Sequence, residues 1–349
     1  MPARDQHEQA TADSESIHGG NRGLDGRPDL TTAFLYLTAG VPLFLFLFSF
    51  LSPRLMLAEL AVNFQVQWFA GLLLSGLILL GYRRWWMALV VLLASAAAFA
   101  GIMPVYFPDP GNPQPASARG LRVMSYNVLV HNRRAADVVA EIRRHNPDVL
   151  VIIEYTHFWK QALQELCRDY PHALERPRTH GFGIALFSKL PLRAPRDVPR
   201  MPEAAEMPVL RATVELSGRP LEIVAAHLIN PLGNSQLALR DRQFKALAEE
   251  LVSDPCERVV VGDFNCTTWS QDMRQFLART SLRDSRQGFG LQPSWSPDGM
   301  PFLAIPIDHA LVTPGVSVLR RQVGAKAGSD HRPVIIDLAW PAADPVAGK

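Results

Sequence analysis

Three long stretches without charge in the first third of the chain constrain it more than any other feature. They run from Leu30 to Pro53, from Leu60 to Tyr82 and from Trp85 to Pro108, bracketed by Asp29 and Arg54, Glu59 and Arg83, and Arg84 and Asp109. A helix crosses the ~30 Å of hydrocarbon in a bilayer with about 20 apolar residues, so each stretch is long enough to span. The run Leu43–Phe48 alternates Leu and Phe and is apolar on every face, which suits lipid and not a half-exposed surface helix. Asn63, Gln65 and Gln67, near the start of the second stretch, are expected at the membrane interface. The sequence therefore predicts three transmembrane helices over 30–108. A cleaved signal peptide does not account for the first stretch, which is too long for one and is followed by two more.

Orientation follows from Lys and Arg beside the spans. Arg83 and Arg84 fill the tight loop between the second and third, Arg22 and Arg27 precede the first, and the other loop holds only Arg54. The expectation is a multi-pass protein of the inner (plasma) membrane with a cytoplasmic N-terminus and a C-terminal domain on the periplasmic side. Residues 1–29 are polar and read as a disordered tail, 109–120 as a Pro- and Gly-containing linker, and 343–349 as a second tail.

Residues 121–342 carry a different pattern. Strands are expected at Leu121–Val128, Asp148–Glu154, Gly183–Ser188, Leu210–Leu216, Leu221–Leu228, Arg258–Asn265, Ile307–Val312, Val316–Val323 and Val334–Trp340. Helices are expected at Ala135–Arg144, Phe158–Cys167, Gln271–Arg279, and from an N-cap at Ser235 to about Val252. Many strands follow one another directly, unlike strict βαβ alternation. The fold class read from this is α+β, a four-layer sandwich of two packed mixed β-sheets flanked by helices. Of the three cysteines, Cys256 and Cys266 flank a strand that holds them too far apart to pair, while either could reach Cys167.

Polar residues gather at the ends of these apolar strands: Asn127, Glu154, His227 and Asn230, Asp263 and Asn265, Asp308 and His309, then Ser329, Asp330 and His331. Carboxylate and amide oxygens suit a hard cation such as Mg²⁺ or Mn²⁺. Histidines beside carboxylates suit proton transfer or phosphate contact. Singly, each has a plainer role: Asn127, Asp263 and Asn265 as turn residues, His227 as a core histidine, Asp308 in an ordinary ion pair. His309 points to the face opposite Asp308 and reads as structural, and Ser329 as a residue that orients its loop.

As an ordered set, the motifs YN, E, HL, GDFN, ID and SDHRP resemble the endonuclease/exonuclease/phosphatase superfamily over nearly all of 121–340. The resemblance implies a metal-dependent phosphoric ester hydrolase. It implies metal binding by Glu154, with Asn127 and Asp330 near the ion. Asp263 would orient or deprotonate the attacking water, with Asn265 holding the water or the phosphate. His227 would contact phosphate, with Asn230 beside it, and His331 would stabilise the pentacovalent phosphorus, held by Asp308. Ile153 stands where many members have Gln. The aromatic or basic residue that several members place between the Glu and GDFN motifs has Tyr155, His180 and Arg211 as candidates.

Net charge is +2, which leaves no strong footprint for nucleic acid. With a tether to the lipid bilayer, the expected substrate is a lipid head group or small phosphoester. Nucleic acid is the alternative, and a non-catalytic membrane scaffold the third.

Overall fold

The computed structural model describes residues 29–340 except 53, 114, 116–119 and 204–205. The tails expected at 1–29 and 343–349 lie outside the described residues apart from Asp29, as does most of 114–119 in the linker.

Asp29 caps the first helix, accepting a hydrogen bond from the Thr32 N–H at 2.6 Å. Four helices follow: α1 (Leu30–Ser49), α2 (Met56–Val62), α3 (Gln65–Gly81) and α4 (Trp85–Ile102). Ser75 Oγ of α3 donates to the Thr38 carbonyl of α1 at 2.6 Å, and Ser95 Oγ of α4 to the Phe69 carbonyl of α3 at 3.2 Å. These contacts fix an antiparallel up-down-up packing.

The expectation of three transmembrane helices is met in part. Two helical segments, Leu30–Ser49 and Trp85–Tyr106, are long and apolar enough to cross a membrane. The stretch expected as the second span is a broken pair, α2 and α3, bent by 75°, and it makes a third crossing only if the pair counts as one span. The break has a polar cause. Asn63 Nδ2 donates to the Glu59 carbonyl at 2.9 Å, while its Oδ1 accepts the Thr267 N–H at 2.7 Å. Gln67 Nε2 donates to the carbonyls of Phe302 and Ala304 at 3.0 and 3.1 Å. Asn63 and Gln67, expected at the membrane interface, thus bond the C-terminal domain.

The domain begins with β1 (Leu121–Asn127), β2 (Val149–Ile153), β3 (His172–Arg176) and β4 (Ile184–Ser188). It continues with β5 (Arg193–Asp197), β6 (Leu210–Leu216), β7 (Arg219–His227), β8 (Arg258–Asp263), β9 (Arg283–Asp284) and β10 (Asp308–Val312), and returns with β11 (Ser317–Val323) and β12 (Val334–Ala339). One sheet has the order β11-β12-β1-β2-β4-β3, the other β5-β6-β7-β8-β10-β9. Among the described strand pairs β1–β2 and β7–β8 are parallel and the others antiparallel, so both sheets are mixed.

Alternation along each strand assigns its two faces. Val123 of β1, Val151 of β2, Ile223 of β7, Val261 of β8 and Ala310 of β10 meet in the core between the sheets. Met124 and Tyr126 face outward under α5 (Ala135–His145) and α6 (His157–Ala162). Val224 and Val260 face outward under α7 (Asn234–Ser253) and α8 (Gln271–Thr280). The four-layer α/β/β/α sandwich expected from sequence is the observed domain.

Smaller expectations shift. The helix at Phe158–Cys167 is α6 followed by a 3₁₀ turn over Gln164–Arg168. Helix α7 starts at Asn234 after Gly233, so Ser235 lies inside it and is not its N-cap; its Oγ donates to Gln236 Oε1 at 2.9 Å. Strands β3, β5 and β9 had no clear sequence signal, because His172–Arg176 and Arg193–Asp197 are polar edge strands. The start of the linker is held to the domain: Asp109 pairs with Arg283, and the Asn112 side chain bonds both ways with the Val318 backbone at 2.8 and 3.0 Å. All three cysteines are free.

Candidate active site

Three strands of the second sheet end on one rung. His227 of β7 is level with Asp263 of β8, and Asp263 is level with Asp308 of β10. All three follow inward-facing positions of their strands, so they project between the sheets at one end of the sandwich. Asn127 does the same from β1 in the opposite sheet. The parity of four strands thus brings four polar side chains to one place.

Gly262 lets β7 and β8 meet here. Its φ is +147°, and a Cβ on it would lie 1.8 Å from the Ala226 carbonyl oxygen. Any larger residue would drive the His227 and Asp263 strands apart.

Glu154 arrives by a different route. Ile153 faces the inner core, so strict alternation would send Glu154 outward. Instead Glu154 has φ +61°, left-handed backbone that a non-glycine residue adopts at a cost of about 1–2 kcal/mol. The turn re-aims the carboxylate into the site. There Oε1 accepts from Asn127 Nδ2 at 3.0 Å and Oε2 from the Val130 N–H at 2.6 Å. Asn265 is also left-handed, with φ +51°. Its Nδ2 donates to the Leu228 carbonyl at 2.8 Å and its N–H to Asp263 Oδ1 at 2.9 Å.

His331 sits on the loop before β12. Ser329 positions it, donating to the Asn127 carbonyl at 2.7 Å and accepting the His331 N–H at 3.0 Å. His331 Nδ1 lies 2.8 Å from Asp308 Oδ2, and Nε2 lies 3.7 Å from Asp263 Oδ2. Asn127 Nδ2 also donates to Asp263 Oδ2 at 3.1 Å. Trp295 Nε1 donates to Asp330 Oδ2 at 2.9 Å.

Electrostatics follow from burial and these pairs. Burial disfavours the His331 cation, but the carboxylates of Asp308 and Asp263 overcome it and raise its pKa well above the usual imidazole range. Burial, reinforced by Asp308, raises Asp263. Burial also raises Glu154 against the Val130 and Asn127 bonds that lower it. His227 is pushed down to about 4 by burial and by the neighbouring His331, so it is neutral at pH 7.

These groups line one cavity of about 510 Å³, with Glu154, His227, Asp263, Asn265, Asp330 and His331 on its wall. Asn230 borders the same cavity from an exposed position. Every residue predicted for the site is therefore brought together there, with Asn127 and Asp308 bonded behind the wall. The donor set fits a hard divalent cation. It offers carboxylate oxygens from Glu154, Asp263 and Asp330, and Asp330 Oδ1 is buried with no hydrogen-bond partner. Asp263, Asp308 and His331 also lie with ligand atoms within 4.8 Å of one another. In that group the short contact is the Asp308–His331 hydrogen bond, which already engages both side chains.

The three candidates for an extra aromatic or basic residue all lie elsewhere. Tyr155 is buried and its hydroxyl donates to Glu175 at 2.6 Å. Arg211 is buried among Glu222, Glu250 and Asp254. His180 pairs with Glu206 at 2.9 Å. The aromatic from that stretch in the cavity is Phe182, its ring centroid 5.0 Å from that of His227. Trp295 was also missed. A lone aromatic carries no chemical signature in a sequence, and only its position beside polar groups marks it.

Residues 124–331 match the endonuclease/exonuclease/phosphatase family, and the chain belongs to it. It is accordingly a metal-dependent hydrolase of phosphoric esters. No curated protein matches the chain. Among solved structures, a 3' phosphatase from Neisseria bound to a product DNA hairpin aligns at TM-score 0.54 and 23% identity, over 63% of this chain and 100% of that one. An endonuclease/exonuclease/phosphatase from Beutenbergia cavernae aligns at 0.53 and 22%, over 66% of this chain and 73% of that one. The human nocturnin catalytic domain, with a bound sulfate, aligns at 0.52 and 19%, over 65% and 95%. At these identities the likeness is one of fold.

Proposed function

We propose that this chain is a membrane-anchored hydrolase of phosphodiester bonds that acts at the bilayer surface on a lipid head group or a small phosphoester. The observation that carries this reading is the Asp308–His331 pair, 2.8 Å apart, set beside Asp263 and Glu154 on the wall of a single cavity.

Glu154 would hold Mg²⁺ or Mn²⁺, with Asp330 near the ion and Asn127 near it through its bond to Glu154, and the cation when bound would offset charge on the non-bridging phosphate oxygens. Asp263, its basicity raised by burial, orients a water and takes its proton as the oxygen attacks phosphorus. Asn265 holds the water or the phosphate beside it. Neutral His227 offers a hydrogen bond to a phosphate oxygen. His331, kept as imidazolium by Asp308, faces the charge that builds on the five-coordinate phosphorus and can supply the proton to the leaving oxygen. Asp308 holds the ring by its Nδ1.

The domain divisions 30–108 and 121–342, and the placement in the inner membrane, belong to the same proposal. The turn at Arg83 and Arg84 lies at the opposite end of the helices from the domain, and the positive-inside rule assigns it to the cytoplasm. The catalytic domain then faces the periplasm. Nucleic acid is the second reading, favoured by the DNA-bound Neisseria structure. Against it stands a net charge of +2, with no basic excess to neutralise a polyanion.

The test uses the full chain in detergent with Mg²⁺, Mn²⁺ or EDTA against phospholipids, an aryl phosphodiester, DNA and RNA. The expected result is cation-dependent cleavage of a phospholipid or the aryl diester, abolished by EDTA and nearly abolished in His331→Ala. Residual turnover within about threefold of wild type would remove His331 from the mechanism, since a general acid contributes about 10²–10⁴. Cleavage confined to nucleic acid would replace the first reading with the second.

A further inference from the structure

The catalytic cavity is not built by the catalytic domain alone. Leu60, Asn63 and Phe64, all from the segment between α1 and α3, line it together with Glu154, Asp263 and His331. Leu60 and Phe64 present hydrocarbon to the cavity, and Phe182, Leu232 and Ile305 of the domain supply apolar surface as well. The phosphate-handling groups therefore share one space with an apolar wall contributed by the membrane anchor.

That wall is fixed rather than laid against the site by chance. Glu59 and Arg240 are both fully buried and form an ion pair. Ser270 Oγ donates to Glu59 Oε1 at 2.8 Å, and Ser52 Oγ donates to the other carboxylate oxygen. Arg240 Nη1 donates to the carbonyl of Asn265, a site residue, at 2.9 Å. One helical turn beyond Glu59, Asn63 Oδ1 accepts the Thr267 N–H at 2.7 Å. A buried, fully partnered carboxylate between anchor and domain is a specific joint, because an unpaired charge there would be costly.

The joint also sets the level of the cavity. The end of α1, the start of α3 and the end of α4 lie together beneath the domain, and Trp269 Nε1 donates to the Gly101 carbonyl at 3.0 Å. Around this level Leu57, Leu232 and Phe302 are 61%, 69% and 70% exposed. Leu232 also lines the cavity, so the apolar surface runs from the interior to an exposed rim at the end of the spans.

We propose that Leu60 and Phe64 are specificity-determining residues, and that this wall receives the hydrocarbon chain of an amphiphilic phosphoester drawn from the bilayer while its phosphate meets His331. The proposal rests on the phosphoesterase reading of the site.

The experiment uses the full chain in one neutral detergent with a series of alkyl 4-nitrophenyl phosphates, the alkyl group running from methyl to dodecyl. Water adds to phosphorus, the bond to 4-nitrophenolate breaks, and the alkyl phosphate and a proton are released, so every member gives the same chromophore. In the wild type kcat/KM should rise with chain length, by up to about fourfold per methylene where the chain is buried. Phe64→Ser and Leu60→Ser should each flatten that rise, cutting the dodecyl-to-methyl ratio at least about tenfold. Partition into the micelle is common to all the proteins, so the difference between them reads the wall. Phe64→Leu, which keeps an apolar side chain, should retain most of the ratio and shows that polarity rather than misfolding is responsible. Coincident slopes in wild type and both serine variants would overturn the proposal while leaving the phosphoesterase reading intact. No hydrolysis of any member by the wild type with Mg²⁺ or Mn²⁺ would sink both.

Discussion

Among single residues, Asp308 and His309 show how one strand serves two ends. Asp308 faces inward and holds His331; His309 faces outward, with its Nε2 2.7 Å from the Cys266 carbonyl and its ring edge-on to Phe264. Asp308→Asn removes the charge that sustains the His331 imidazolium. It should lower kcat by about 10²–10⁴ and move the alkaline limb of the pH–rate profile to lower pH. A profile superimposable on wild type would show that His331 does not depend on Asp308. His309 supports a stability prediction. Burial pushes its pKa down to about 4, below the unfolded value near 6.5. Above pH 6.5 it is neutral in both states, and as pH falls from 6.5 to 4 the unfolded chain binds a proton that the folded one refuses. Its contribution is thus present above 6.5 and lost on acidification, by up to about 3 kcal/mol. Denaturant titrations at several pH values should show a shallower acid loss in His309→Gln than in wild type; parallel curves would refute the assignment.

Among elements, α2 is the piece whose role is least obvious from its composition. Met56–Val62 is a short apolar helix broken from α3 by a 75° bend, and its one carboxylate, Glu59, enters the domain to meet Arg240. Glu59→Gln leaves the Arg240 cation buried without its main partner, although Asp272 remains at 3.3 Å. The cost should be about 3–5 kcal/mol, read as a lower thermal midpoint of the detergent-solubilised chain. Replacing Glu59 and Arg240 together by methionine should recover much of that loss, because no unpaired charge is left. A midpoint unchanged in Glu59→Gln would mean that the joint contributes little to holding anchor and domain together.

For the whole molecule, helix packing and the joint place the domain at one end of the apolar helices and Arg83 with Arg84 at the other. A reporter active only outside the cytoplasm, fused after Lys349, should be active. A cytoplasm-only signal would reverse the proposed orientation without touching the chemistry. The same arrangement means that a domain cut from the N-terminal helices loses Leu60, Asn63 and Phe64 from its cavity wall.

Much of this was determined by the sequence alone, and for a physical reason. Strand periodicity and uncharged length are local properties, so the sandwich, the long apolar helices within 30–53 and 85–108, and the polar strand ends at Asn127, His227, Asp263 and Asp308 could all be read directly. Glu154 was legible too, because a carboxylate closing an apolar run has to find a partner, and His331 through the resemblance carried by its SDHRP motif. What only the tertiary structure decided depends on contacts between distant segments. Asn63, Gln65 and Gln67 read as interface polarity, and only the structure shows that Asn63 and Gln67 bond residues some two hundred positions away, where α2 and α3 bend apart. Phe182 and Trp295 became site residues only by standing next to His227 and Asp330. Local composition cannot report which apolar or amide side chain will face a given partner, because that is set by how the anchor and the two sheets pack.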